Sequence, residues 1–233
     1  MRRSVNTTKL EIMRVATEMF LEKGYSNTSV KAIADQLDIS TGHLTFYFPT
    51  KEHLLAVLVE MLCDFQWQEM RHTVEEGKTS LLAVCLEMMA MASICEVDEI
   101  IKDFYISAYS RPMTLQIIRK SDEQRAKMVF SEFCKDWNEQ QFKEAEMLVS
   151  GIEYATLMTT ENLVPLKVRI EGAINSILTI YNVPEELKIQ KIEKVLAMDC
   201  IAIGKRMING FAEYIKMVNE QTFEEMFAKR TGT

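Results

Sequence analysis

Polar and aromatic residues crowd one short stretch of the chain, Thr41-Gly42-His43-Leu44-Thr45-Phe46-Tyr47-Phe48, in a pattern suited to touching nucleic acid. Leu44 and Phe48, four apart, mark the buried side of a short helix. At about 100° per residue, Gly42 and Phe46 then point away from the core, flanked by His43 and Thr45. An outward face with a glycine, a threonine, a histidine and an aromatic, and without Lys or Glu, fits a surface pressed into a major groove. Gly42 admits the backbone close to a duplex. Thr41, His43 and Thr45 can hydrogen-bond base edges or phosphates, and Phe46 can meet a thymine methyl. His43 reads equally as a groove contact or as a solvated side chain. Tyr47 and Lys51 lie beside that face within reach of phosphates, and the helix start at 50–52 can aim backbone N–H groups at one. Arg2 and Arg3 form either a mobile arm adding phosphate or minor-groove contacts or a solvated terminus.

Other chemistry lacks a matching pattern. No serine has His and Asp partners in a known arrangement, and neither a Gly-rich phosphate loop nor a paired-carboxylate signature stands out, so an enzyme is not expected. His53, Cys63 and His72 stand 10, 9 and 19 residues apart, with no Cys-x-x-Cys or His-x-x-x-His pair; neither a metal site nor a cofactor is expected. The five cysteines (Cys63, Cys85, Cys95, Cys134, Cys200) are scattered, as reduced thiols of a cytoplasmic protein would be. The longest apolar stretch, Leu81 to Cys95, is broken by Glu87 and too short to cross a bilayer. The basic N-terminus is followed by charge instead of the apolar run of a secretory signal. A cytoplasmic location without membrane attachment is therefore expected.

The elements that position the 41–48 stretch can be read from caps and periodicity. A first helix is predicted from Thr8, with Glu11 completing a capping box; Ile12, Val15, Ala16, Met19 and Phe20 form its buried face, and Gly24 ends it. Thr28 or Ser29 caps a second, with Val30, Ile33, Ala34 and Leu37 inward. Asp38-Ile39 make a tight turn, Ser40 caps the third helix, and Pro49 stops it. Thr50 caps a long fourth helix carrying Leu54, Leu55, Val57, Leu58, Met61, Leu62 and Phe65. Further helices are predicted at 78–94, 97–110, 113–135, 139–160, 164–181 and 184–218. With only 8 Gly and 4 Pro among 233 residues, 48% of them hydrophobic, turn punctuation is scarce and an all-α fold is expected.

Charge is unevenly placed. Residues 1–53 carry seven Lys/Arg against six Asp/Glu, whereas residues 54–233 carry 20 against 28. An acidic body behind a weakly basic head repels DNA in every orientation but one.

Gly24-Tyr25, then Thr28-Ser29-Val30-Lys31-Ala32-Ile33-Ala34, then Leu37-Asp38-Ile39-Ser40-Thr41-Gly42-His43-Leu44, then Phe46-Tyr47-Phe48 and Lys51-Glu52-His53-Leu54-Leu55 together resemble the DNA-binding domain of TetR-like (tetracycline-repressor) regulators. The resemblance covers about residues 7–55. It implies that Ser29 and Lys31 contact the DNA backbone, that Thr41, Gly42, His43, Thr45 and Phe46 face the groove, and that Tyr47 and Lys51 clamp phosphates. Thr41, Thr45 and Pro49 depart from the family's usual residues, which bears on the operator sequence and not on the binding mode.

The resulting expectation is an N-terminal three-helix helix-turn-helix domain, residues 1–50, followed by a larger helical effector-binding and dimerisation domain, residues 51–233. The function expected is a homodimeric repressor of transcription that binds double-stranded operator DNA and is released by a small-molecule effector. The alternative is a ligand- or partner-binding helical protein whose head no longer binds DNA. Trp67, Met88, Phe104, Tyr105, Tyr109 and Trp137 are candidates to line the effector pocket, alongside Met89, Met91 and Tyr154; each is also plausible as plain core. The late helices, with Ile174, Ile177, Leu178, Ile180 and Tyr181 and then Leu196, Ile201, Ile203, Met207, Ile208, Phe211 and Ile215, are apolar over wide faces and are expected to contribute to a dimer interface.

Overall fold

Capping side chains set most of the helix starts in the computed structural model, which describes residues 5–75, 77, 80–158, 164–221 and 223. Among these residues lie eleven α-helices and no strand: α1 (Val5–Lys23), α2 (Val30–Gln36), α3 (Thr41–Tyr47), α4 (Lys51–Val74), α5 (Leu81–Val97), α6 (Glu99–Ser110), α7 (Pro112–Val129), α8 (Glu139–Leu157), α9 (Leu166–Ile180), α10 (Glu185–Leu196) and α11 (Cys200–Met217). The all-α expectation holds.

α1 differs from its predicted start. Nothing between Val5 and Thr8 forbids helical backbone, so the helix begins earlier and Thr8 lies buried within it instead of capping it. Gly24 closes the helix at φ +87, in the left-handed region that side chains avoid. Of the two candidate caps for α2, Ser29 does the work: its Oγ accepts from the Ala32 amide at 3.0 Å. The Thr28 hydroxyl instead donates to the carbonyls of Met19 and Gly24. Asp38, at φ +52, makes the tight turn, Ser40 caps α3 through the His43 amide, and Thr50 caps α4 through the His53 amide.

Two predicted long helices are shorter than their periodicity suggests. The 113–135 segment leaves helical geometry after Val129. Phe130 to Trp137 turn instead around a cluster in which the Phe130 ring stacks on Tyr181 at 4.0 Å, until Asn138 and Gln141 form a capping box for α8. The 184–218 segment breaks into α10 and α11. Asp199 competes for the backbone there, its side chain accepting from the Ala202 amide at 3.0 Å and starting a new helix.

α5 is largely apolar, with charge only at Glu87 and Glu96, and is enclosed by α4, α6 and α8 to α11. α4 spans from the turn after α3 to the middle of the body and packs on α1, α5, α6, α7 and α11, while α2 lies on α1 and α3. Most of the apolar residues of α9 and α11 that suggested a partner subunit are spent inside the chain. Ile174, Ile177, Leu178, Ile203, Met207, Ile208, Phe211 and Ile215 are all buried, whereas Ile201 remains exposed.

The α5–α11 crossing depends on one missing side chain. A Cβ on Gly204 would stand 2.8 Å from the Ala90 carbonyl oxygen and 3.0 Å from Ile94 Cβ. Because the closer atom is backbone, Gly204→Ala must push two core helices apart. We expect a loss of about 1–3 kcal/mol in urea unfolding; unchanged stability would mean that α11 does not lie this close to α5.

Candidate nucleic-acid interface and body cavity

The short helix α3 is held from below by Leu44 and Phe48, both buried, and presents Phe46 at 77% exposure. Thr41, Gly42 and His43 are exposed beside it, and Thr45 and Tyr47 are half-buried. The Thr45 hydroxyl donates to the Gly42 carbonyl at 3.2 Å. The Tyr47 ring lies 5.4 Å from His43 and meets Phe46 edge-on at 5.2 Å, so three rings form a continuous ledge. Ser29 and Lys31 are exposed at the start of α2. α2 packs directly on α3, whereas Arg2 and Arg3 lie outside the described residues.

Lys51 has a different setting from the rest of the set. Its half-buried ammonium donates to the carbonyls of Tyr25 and Thr28, both at 2.8 Å, and lies 4.0 Å above the Tyr25 ring centroid. Desolvation and the neighbouring Arg111 charge lower its pKa. Lys51 therefore braces the turn between α1 and α2. Other ties join the same turn to the body: Asp103 of α6 accepts from the Ser26 amide at 2.8 Å and from its hydroxyl, and Arg111 covers Tyr25 at 4.6 Å. At the start of α4, Glu52 accepts from the Met113 amide of α7.

A cavity lies between α4, α5, α6, α7, α8 and the end of α9. About 800 Å³ of its space, mouth included, is not filled by atoms. Trp67, Met88, Tyr105 and Tyr109 line it, together with Met91. Phe104 is buried in the core, one residue round α6 from Tyr105, and is not part of the wall. Trp137 is not part of it either, packing instead on Phe142 and Tyr181. Met89 and Tyr154 also lie outside the lining.

The polar half of this wall was missed in the sequence. Arg125 of α7 bonds both oxygens of Glu87 at 2.9 Å, and also Asp122. Tyr109 donates to Glu153 at 3.0 Å, Tyr181 to Glu146, and Tyr105 to Gln66 at 3.2 Å. Glu146 is 3% exposed, and its Oε2 has no hydrogen-bond partner among the described residues. Burial pushes its carboxyl up to about 7, against the pull of Tyr181 and Arg125. Burial and the nearby Glu146 push Glu153 up to about 8. Cys63, also on the wall, is pushed by burial up to about 12 and stays a neutral thiol. Among the described residues, no group of three or more His, Cys, Asp or Glu is placed to hold a metal ion, and no helix is long and apolar enough to cross a membrane.

The two carboxyls give stability a pH dependence of definite sign. From an ordinary value of 4.5, both are raised on folding, so the folded chain keeps protons that the unfolded chain has shed. Their stabilisation is complete below the unfolded value and is lost as pH climbs through the folded ones. Tm is expected to fall between about pH 5 and pH 8, and Glu146→Gln with Glu153→Gln should flatten that slope. A Tm that rises over the interval, with the same slope in the double variant, would mean that both carboxyls are ionised in the folded chain.

Comparison with known proteins places the head. Residues 12–58 match the family described as bacterial regulatory proteins, tetR family. The HTH-type transcriptional regulator HbdR of an Aromatoleum species is 27% identical over 116 residues, 50% of this chain and 49% of that one. The uncharacterised HTH-type transcriptional regulator YuxN of Bacillus subtilis is 42% identical over 53 residues, 23% of this chain and 18% of that one. The HTH-type transcriptional repressor KstR2 of Mycobacterium tuberculosis is 31% identical over 77 residues, 33% of this chain and 38% of that one. The chain thus spans half or less of the length of these relatives, and in each comparison the helix-turn-helix regulators share only part of it. Residues 12–58 thus match the helix-turn-helix segment of the tetR family of bacterial regulatory proteins.

Proposed function

We propose that the chain is a DNA-binding repressor of transcription, working as a homodimer and released from its operator by a small molecule bound in the body cavity. The observation that carries the reading is the outward face of α3, where Phe46 stands exposed between Gly42, His43 and Thr45 while Leu44 and Phe48 anchor the helix. An apolar ring kept in water on a seven-residue helix is suited to a partner surface. Residues 1–50 serve as the head and 51–233 as the body. In a dimer, two copies of α3 enter successive major grooves, with half-sites about 34–36 Å apart. Thr41, Gly42, His43, Thr45 and Phe46 read the groove, Ser29, Lys31 and Tyr47 hold the phosphates, and Lys51 acts mainly by bracing the head.

For the dimer, a strip on α8 and α9 is the best-supported surface. Met147 and Leu148 are 59% and 61% exposed, Val168 is exposed, and Gly151 and Gly172 have open space where a side chain would stand. Small and apolar residues together let two helix pairs approach closely. Leu148→Glu should give a monomer by analytical ultracentrifugation, with operator affinity lowered about tenfold or more. A Leu148→Glu dimer as tight as the original would remove this surface from consideration.

Release is supported by helices that touch both ends. α6 contributes Tyr105 and Tyr109 to the cavity and Asp103 to the head; α7 contributes Arg125 to the cavity, and its first turn holds Glu52. A ligand that prefers one placement of α6 and α7 by a few kcal/mol would move the head with them.

The direct test is a gel-shift with fragments of the surrounding genomic DNA at low salt. Lys31→Ala should reduce the dependence of log affinity on log salt by about 1.8, one phosphate contact from each half of the dimer. Changing Thr45 should alter sequence preference. Lys51→Ala should lower Tm as well as affinity. Retention of no fragment at low salt would leave the chain as a ligand-binding body with a silent head.

A further inference from the structure

We propose that the cavity recognises an apolar molecule bearing a protonated amine, which Glu146 holds through its free oxygen. The inference rests on the proposed function only in taking the cavity as a ligand site.

The geometry begins with that oxygen. Glu146 Oε1 is satisfied by the Tyr181 hydroxyl, whereas Oε2 sits in the cavity wall without a partner on a residue 3% exposed. Once ionised, a carboxylate oxygen only accepts, so the group that completes it in that state must bring an N–H or O–H. The charges around it then select among donors. Among the described residues, four carboxyls line the cavity, Glu87, Asp122, Glu146 and Glu153, against the single cation Arg125. Arg125 is already committed to Glu87 and Asp122, so an anionic ligand would have to displace a carboxylate to reach it.

The groups facing Glu146 from its neighbours do not reverse this balance. On α7, Arg119 attracts and Glu123 repels the carboxylate; Arg119 is bonded to Ser150, and Glu123 to Lys127. α6 and α9 offer Tyr109 and Tyr181, both of which burial keeps neutral. On α4, Cys63 is uncharged at neutral pH. The remaining wall, with Trp67, Met88, Met91 and Phe130, suits an apolar or aromatic body carried by the amine.

At low pH the Glu146 carboxyl holds a proton, and a protonated amine can bind as an ion pair only by sending that proton to solvent. Amine affinity therefore climbs with pH until the carboxyl is ionised in the free protein. A neutral ligand shows no such climb, and an anion shows the reverse.

Isothermal titration of the intact protein, without DNA, with naphthylmethylamine, naphthylmethanol and naphthoate separates the three. The amine should bind about tenfold or more tighter than the alcohol at pH 8, with naphthoate weakest. Below neutrality, amine affinity should rise by about tenfold per pH unit and then level off. Glu146→Gln, which keeps the acceptor for Tyr181, should erase the amine's advantage over the alcohol. The inference is overturned if naphthoate binds tightest, if the three bind alike, if the amine fails to bind at pH 8, or if a folded Glu146→Gln keeps the preference. The charge series uses unaltered protein, so it stands even where the variant folds poorly. Release of operator by naphthoate would end this inference and leave the proposed function intact; amine binding by a protein that retains no DNA would do the opposite.

Discussion

The ring of Tyr25 carries two cations, Lys51 at 4.0 Å and Arg111 at 4.6 Å, and the placement of the whole head follows from how that arrangement is balanced. Two positive charges beside one buried ring repel each other, and burial adds its own penalty for Lys51. The arrangement persists because the ammonium meets the carbonyls of Tyr25 and Thr28 while the Asp103 carboxylate favours the charged form of Lys51. Removing the carboxylate would take away an anion that favours the charged form of Lys51, and stripping one partner from a charge group is the costly way to break it. Gly24 belongs to the same balance. Its φ of +87 ends α1, and a side chain there would meet Asp103 Oδ2 at 2.8 Å. One glycine thus sets both the exit of the first helix and the approach of the acid that neutralises the junction.

This explains which parts of the molecule were legible in sequence. The head is built from local signals, each acting within four residues: Gly24 as terminator, Ser29, Ser40 and Thr50 as caps, and Leu44 and Phe48 as a helical stripe. Such signals survive without knowledge of the fold. Lys51 misleads because its role is fixed by carbonyls 23 and 26 residues earlier, which no local pattern reveals. The break at Asp199 shows the opposite failure: a local cap was present but was overridden by a run of apolar residues with unbroken periodicity.

The cavity's polar wall was the hardest feature to foresee. Charged residues default to solvent, so Glu87, Asp122, Arg125, Glu146 and Glu153 read as surface. A signal did exist on α8. Glu146 and Glu153 are seven apart with Val149 between them, on the face that also carries Phe142 and Ala145. Acids on the apolar stripe of an amphipathic helix point inward. The aromatic candidates were half legible for a related reason: Trp67, Met88, Tyr105 and Tyr109 line the cavity, while Phe104 and Trp137 serve the core. Composition marks an aromatic as buried but does not say which wall it faces.

Cavity and junction draw on the same helices, and this constrains how they interact. α6 is 12 residues long, with Asp103 and Tyr109 less than two turns apart. A rotation of α6 that repositions Tyr109 against Glu153 therefore also moves Asp103 relative to Ser26. The balance at Tyr25 cannot absorb that shift gradually, because its hydrogen bonds to Ser26, Tyr25 and Thr28 lose strength steeply with distance and angle. The buried acids add a bias of their own, since a carboxyl oxygen without a partner disfavours the very packing that encloses it. In the proposed reading, a ligand that satisfies this oxygen stabilises one placement of α6 and α8. Whatever its identity, it acts on the head only through the difference between that placement and the one the junction prefers.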